Sequence, residues 1–477
     1  MTISTLREVR PPAVLPGFGW WLVAILAVIA GVAVHWAAAV AVLLWALVQW
    51  RSPFDLLEAA LILATAASFV DYTQRQLTPE LAVVTLLILF FLFCHLLQTG
   101  REAIRVPRTP MTVPLILYVT LSCINFARGV VAGQSLRYAG LELIAALALT
   151  TCFIAAGIPN VRKRLPYVIA WFWAVCLGHL ALGIYWLSVT HVRTGRLSFA
   201  PVPGVFAMIM MPRGLRARTL RERLFWGLFL APLLLHQFLS FTRGYWLSLI
   251  AGTAFLTVVS CGYQAGAVRR WSRALAFLGT LVLAGFLAAA IAAVALHIPD
   301  LARDALVRFQ SSTSAKVEYE SSSNIVRISE YSQAWPRIVE SPIFGKGFGF
   351  FLVIRDPFRH DLIEQWFMHN NYLLTVLKQG LLGLFLLLTL LLSAIVTGVR
   401  NWRKTSADPV AADWCLGTAA ATVYVACYCL VHFPLAEINT IFTLAFAWGV
   451  AMRLAEPGWW TLRWRVPGRI GTAGASS

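Results

Sequence analysis

Apolar runs recur along the whole chain, most of them close to the twenty residues that an α-helix needs to cross the hydrocarbon of a bilayer. They fall near 17–33, 35–50, 55–71, 80–98, 111–130, 138–157, 165–188, 197–212, 224–241, 245–262, 274–296, 373–398, 411–432 and 437–453, about fourteen spans. Inside hydrocarbon every backbone N–H and C=O must be satisfied within the structure, so only helices and closed barrels cross it. The alternating ten-residue pattern of a barrel is absent. The chain therefore reads as all-α, a polytopic transmembrane helical bundle. The residues are 59% hydrophobic and 13% charged, which a soluble protein of 477 residues could not hide. The first two runs form either a tight hairpin broken at His35-Trp36 or one bent helix. Arg7 and Arg10 precede the first run and no A-x-A-like cleavage site is clear, so this end is expected to be an uncleaved anchor.

The formal charge is +18. Nucleic acid is not the expected partner, because no basic folded module exists to carry it. The arginines crowd short loops instead, where they set orientation. With the N-terminus cytoplasmic, one face receives Arg51, Arg101/Arg105/Arg108, Arg162/Lys163/Arg164, the block Arg213–Arg223, Arg269/Arg270/Arg273, Arg400/Arg403/Lys404 and the tail from Arg453 to Arg469. Both termini are then cytoplasmic, and residues 297–368 become one large periplasmic loop. The expected organisation is N-terminal helices over 1–223, a core over 224–398 that includes this loop, and C-terminal helices with a basic tail over 399–477. Within the loop, Ile325, Ile328, Tyr331, Trp335, Ile338 and Val339 fall roughly along one helical face, predicting a helix on the membrane surface over 325–340, kinked at Pro336. The Ser-rich stretch 311–324 is expected to be mobile. The eight cysteines lie in or at the edge of apolar runs and read as small buried hydrophobes.

Candidate chemistry gathers on the loop side. Arg243 occupies a short turn between two spans, against the orientation bias, and fits either an interface anchor or a binder of a fixed anion. Arg327 and Arg337 could each hold phosphate oxygens in a bidentate fork, although an ordinary solvated charge explains their positions as well. Arg128, Arg137, Arg193 and Arg196 are further outside arginines with weaker claims. His369 stands at the mouth of a long apolar helix, where a neutral imidazole could take a proton from a sugar hydroxyl. Asn370 and Asn371, followed by Tyr372, could bind sugar hydroxyls or cap the helix. Gly380 and Gly383 would permit close helix packing. Gly345-Lys346-Gly347-Phe348-Gly349 lacks the spacing of a P-loop. His191, His297, His360 and His432 are too scattered to suggest a metal site.

Three segments together are similar to the O-antigen ligase and O-antigen polymerase superfamily, bacterial inner-membrane glycosyltransferases that use polyprenyl-diphosphate-linked glycans. The first is Ser240-Phe-Thr-Arg243-Gly244-Tyr-Trp-Leu247. The second is Arg327, followed by Tyr331, Ala334 and the loop Pro342-Ile-Phe-Gly345-Lys-Gly347. The third is His369-Asn370, then Gly380-x-x-Gly383. The resemblance covers about residues 225–387, with Thr242 where the family often has Ser and more apparent spans than the roughly twelve typical of the ligases. It implies a GT-C-like fold and a donor of undecaprenyl diphosphate bearing a glycan. Arg243 and Arg327 would meet the diphosphate, and His369 would orient or deprotonate the acceptor. Arg337, Asn370, Asn371, Tyr372 and Arg137 would be substrate contacts, with no metal and no cofactor. The acceptor would be a lipid A core sugar in a ligase or a lipid-linked repeat in a polymerase, with membrane lipids and other polysaccharide-assembly proteins as partners. A transporter of the same lipids fits less well, because Asp55, Glu58, Asp71, Glu142, Asp413 and Glu437 fall near span ends rather than at mid-membrane.

Overall fold

Within the described residues the apolar runs fold as helices. A computed structural model describes residues 106–158, 160–190, 201–240, 242–262, 271–272, 274–279, 281, 318–355, 362–455 and 459–460. Its helices are Thr112–Val131 (α1), Leu136–Ala148 (α2), Thr151–Gly157 (α3), Val161–Thr190 (α4), Val202–Arg216 (α5), Leu220–Leu239 (α6), Arg243–Gly262 (α7), Glu318–Val339 (α8), Asn371–Lys404 (α9), Pro409–Tyr428 (α10) and Ile438–Leu454 (α11). Among the described residues, five stretches are long and apolar enough to cross a membrane: α1, Leu136–Gly157 spanning α2 and α3, Arg243–Cys261 in α7, α9 and α10. The expected spans before residue 100, and most of 274–296, lie outside the described residues, as do Arg193 and Arg196.

Helix α10 is the centre of the packing. Trp414, Tyr424 and Tyr428 are fully buried along it, and the Trp414 indole donates to the Ala447 carbonyl of α11 at 3.2 Å. Small residues let its neighbours approach: Gly417 lies on the backbone of Ile209 in α5, and Gly398 of α9 lies on Cys415 and Ala419. One end of the bundle is basic. There Arg162 pairs with Asp408 at 3.2 Å, Arg216 with Asp413 at 2.8 Å, and Arg453 donates to the Ile158 carbonyl at 3.1 Å. Among the described residues, Arg162, Arg216 and Arg453 of the expected clusters lie at this end; Arg51, Arg101, Arg105, Arg269, Arg270 and Arg273 lie outside the described residues. Of the described cysteines, Cys123 is exposed and Cys427 half-buried, so burial holds for the other five but not for these two.

At the opposite end a polar layer sits over the helices. Residues 318–324, expected to be mobile, are the first turns of α8. The expected apolar stripe of this helix divides. Ile325, Ile328, Trp335 and Val339 face outward, whereas Ala334 and Ile338 turn inward with Tyr331, joining a small core with Leu352, Ile354, Phe367, Met368 and Leu377. Strands Leu352–Arg355 and Leu362–Gln365 pair antiparallel, Leu352 opposite Gln365 and Arg355 opposite Leu362. That sheet lays α8 across the start of α9.

Helix α9 is broken at Gly380, whose φ of 71° and ψ of −171° lie in a region open essentially to glycine alone. The glycine-rich loop enters this break. Lys346 and Gly347 donate their amides to the Leu377 and Lys378 carbonyls at 2.8 and 2.9 Å, while Leu381 and Leu382 donate to Pro342 and Ile343 at 2.8 and 3.2 Å. Gly380 and Gly383 are therefore not the helix-packing pair expected. Gly380 admits a loop backbone, and a Cβ on Gly383 would meet the side chain of Gln379 in its own helix. Arg128 clamps the same loop, donating to the Phe344 and Gly345 carbonyls at 2.6 and 3.1 Å.

Beneath the loop, Lys378 pairs with Glu142 of α2 at 2.6 Å, and both side chains are buried. The remaining polar atoms are used: Glu142 accepts from the Gly349 amide at 2.8 Å, and Lys378 donates to the Phe350 carbonyl at 2.7 Å. Removing one partner strands a buried charge, whereas removing both does not. Lys378→Met is expected to lower stability by about 3–5 kcal/mol, and Lys378→Met/Glu142→Leu to recover most of it. Thermal unfolding of the purified variants measures both. Equal melting of single and double variants would show that the ion pair does not hold the loop.

Candidate active site

The site is assembled where α6 and α10 end, α7 and α9 begin, and the middle of α8 lies beside them. His369 precedes α9, whose N-cap is Asn370: its side-chain oxygen accepts from the Tyr372 and Leu373 amides, each at 3.0 Å. Of the two roles open to Asn370, the structure uses capping. Asn371 is buried and its amide is shared between the Cys429 and His432 carbonyls, at 2.8 and 3.0 Å. This ties the start of α9 to the end of α10. Tyr372 donates its hydroxyl to the Ala426 carbonyl at 2.6 Å, on the same seam.

Glu330 fixes His369. Its side chain is 0% exposed, and its oxygens lie 2.8 and 3.0 Å from His369 Nδ1. The His369 amide donates to the same carboxylate at 3.1 Å, and Gln365 Nε2 donates to it at 2.9 Å. Burial pushes the Glu330 carboxyl up, but the His369 side-chain bond and charge, with the Gln365 and backbone donors, outweigh it and leave the group below the ordinary glutamate range. An ionised carboxylate only accepts, so Nδ1 must carry the proton that it shares with Glu330, and Nε2 becomes the basic ring atom. Sequence reading missed Glu330. The available signal was its place one turn after Arg327 on the polar side of an amphipathic helix.

Arg327 is half-buried on the same helix. Burial pushes its guanidinium below the ordinary range; Tyr331 opposes that, Arg243 adds to it as a like charge, and Glu330 and Tyr428 oppose it. An arginine remains charged under such a shift. Arg243 thus reaches the neighbourhood of Arg327 although it opens α7. It follows α6 closely in the chain, and Gly244 lets the start of α7 lie directly on Tyr428 and Val431, where a Cβ would come within 2.5 Å of Val431 and 2.9 Å of Tyr428. Aromatic contacts then lead to the histidine. The Tyr245 and Tyr428 rings lie 4.6 Å apart, Tyr428 stacks on His432 at 5.0 Å, and His432 meets His369 edge-on at 6.3 Å.

The other named residues lie further out. Arg337 is exposed and bonded to Glu340 at 3.0 Å. Arg137 is exposed at the start of α2, over the ring of Tyr138, which stacks on Trp366 at 5.6 Å. Among the described residues, no group of three or more His, Cys, Asp or Glu side chains is arranged to hold a metal ion.

Residues 228–388 match the family model described as O-antigen ligase. This stretch is similar to the O-antigen ligases. No curated protein matches the chain. Arg243, Arg327, Glu330 and His369 all fall inside the matched stretch, as does the loop that enters α9. Glu142 and Arg128, which brace that loop, belong to the flanking helices.

Proposed function

We propose that this protein transfers a glycan from undecaprenyl diphosphate to the hydroxyl of an acceptor sugar, with inversion at the anomeric carbon. The observation that carries the reading is the meeting of two guanidiniums with a carboxylate-braced imidazole at one end of the bundle. Two neighbouring guanidiniums can each grip phosphate oxygens in a bidentate fork, and a diphosphate offers two phosphates to them. In the reaction the acceptor oxygen forms the new bond to the anomeric carbon, and the bond from that carbon to the diphosphate breaks. The acceptor proton passes to His369 Nε2, while Arg243 and Arg327 stabilise the charge left on the lipid diphosphate. The Glu330 carboxylate stabilises the resulting imidazolium. The lipid tail lies among the helices. No nucleotide sugar is required, because the donor bond already carries the activation.

The crowding of arginines on the opposite loops supports a site on the periplasmic side of a bacterial inner membrane, with both termini cytoplasmic. In the ligase reading the acceptor is a lipid A core sugar. A polymerase acting on a lipid-linked repeat uses the same groups, and a deletion strain separates the two: polymer held on the undecaprenyl carrier marks a lost ligase, and single repeats mark a lost polymerase.

Purified protein with a synthetic lipid-diphosphate glycan tests the chemistry through release of undecaprenyl diphosphate. Arg243→Ala and Arg327→Ala are each expected to lose at least about 10²-fold in transfer, at normal membrane insertion. EDTA should leave the wild-type rate unchanged. A strict requirement for magnesium would overturn the role given to the arginines.

A further inference from the structure

A second cavity, of about 940 Å³, opens at the basic end of the bundle, between the turn joining α5 to α6 and the turn joining α9 to α10. It is remote from the site above. Helix α6 runs from the cavity at Glu222 and Trp226 towards Arg243, and its stretch from Trp226 to Leu239 alone separates the two by about 20 Å. Helices α7 and α9 repeat the arrangement, each with one end at the site and the other, through Cys261 and Arg403, at the cavity.

Four arginines line it, Arg213, Arg216, Arg218 and Arg403, against the carboxylates of Asp413 and Glu222. Four arginines against two carboxylates leave the lining with an excess of positive charge. Asp413 is held by Arg216 at 2.8 Å, and Glu222 closes the capping box of α6, accepting from the Arg218 and Thr219 amides at 2.7 and 3.2 Å. The cavity is thus cationic. Arg213 lies over the ring of Trp226 at 5.4 Å, and Asp413 is near enough to act on its charge. The remaining wall is apolar: Leu215, Trp226, Trp402, Val410 and Leu416. Beside it, Leu220, Leu224, Phe225 and Leu228 expose an apolar flank of α6. Guanidiniums next to tryptophans and an uncovered apolar flank suit a ligand that is anionic at one end and greasy at the other.

We infer that this cavity binds a phosphate-bearing anion, seated as the headgroup of an anionic phospholipid whose chains run down α6. A basic pocket between membrane helices recognises such a headgroup through charge and bidentate hydrogen bonds. The site does not depend on the transfer reaction.

Native mass spectrometry of the full-length protein, released from vesicles of cardiolipin, phosphatidylglycerol and phosphatidylcholine, reads the retained lipid directly. Cardiolipin or phosphatidylglycerol should be retained roughly tenfold or more over phosphatidylcholine, and Arg213→Gln/Arg403→Gln should erase the preference. Arg403→Glu, an exposed change at a helix end, carries the test if the double variant does not fold; it should reduce retention of the anionic lipids while leaving helical content by circular dichroism unaltered. Equal retention of phosphatidylcholine, or unchanged retention in Arg403→Glu, would overturn the inference. Inorganic phosphate is the second probe. Displacement of bound anionic lipid by phosphate supports the shared chemistry, whereas thermal stabilisation by phosphate with no lipid retained would assign the cavity to a soluble phosphate compound and remove the lipid.

Discussion

Replacing His369 by alanine should abolish glycan transfer while leaving the protein inserted and folded, and Glu330→Gln should lower the rate by about 10²–10⁴-fold. The two effects differ in kind. Alanine removes the proton acceptor. Glutamine keeps the size of Glu330 but supplies a neutral amide in place of the carboxylate, so the imidazole loses the group that sets its tautomer and stabilises its charged form. Transfer by the purified variants, with membrane insertion checked in parallel, measures both. Wild-type turnover in His369→Ala removes the imidazole from the mechanism; wild-type turnover in Glu330→Gln removes only its brace. The same pair makes a statement about acid. The folded-state pKa of Glu330 is depressed, so its stabilising contribution is complete above the ordinary glutamate value of about 4.3 and is lost as pH falls through the lower folded value. Wild type should therefore lose stability below that ordinary value more steeply than Glu330→Gln, as thermal melting at graded pH would record.

Gly380→Ala is expected to be the most damaging small substitution in the lid. The backbone at φ 71° and ψ −171° costs an alanine about 1–3 kcal/mol by itself. The new Cβ would also overlap the Ile343 carbonyl, displacing the loop whose amides and carbonyls complete the broken helix. Each lost backbone hydrogen bond adds about 0.5–1.5 kcal/mol, so a total near 3–5 kcal/mol is expected. Limited proteolysis should then cut within 341–349, where the parent resists. An alanine protein that melts and resists protease like the parent would mean that the break does not depend on glycine.

The spans were legible because apolar length is a direct demand of the bilayer: the run near 111–130 became Thr112–Val131, and the run near 411–432 became Pro409–Tyr428. Arg243, Arg327 and His369, which the proposed reaction uses, were singled out through motifs whose order and spacing survive in a single chain. What escaped was pairing across long separations. Glu330 lies 39 residues from His369, and Glu142 lies far from Lys378 in the chain, so no local pattern announces either bond. Gly380 was misread for a physical reason. Two glycines three apart in an apolar helix have the spacing of a packing groove, and only the partner backbone reveals a break. The stripe on α8 was half right, because a helix between a core and an open surface divides its apolar residues between the two.

The loop held in the α9 break has its hydrogen-bonding partners on groups the ribosome makes some thirty residues later, between Leu377 and Leu382. The loop therefore cannot reach its final shape as a severed fragment, nor before the residues on both sides of Gly380 have been made. Folding of the start of α9 is the event that sets it in place.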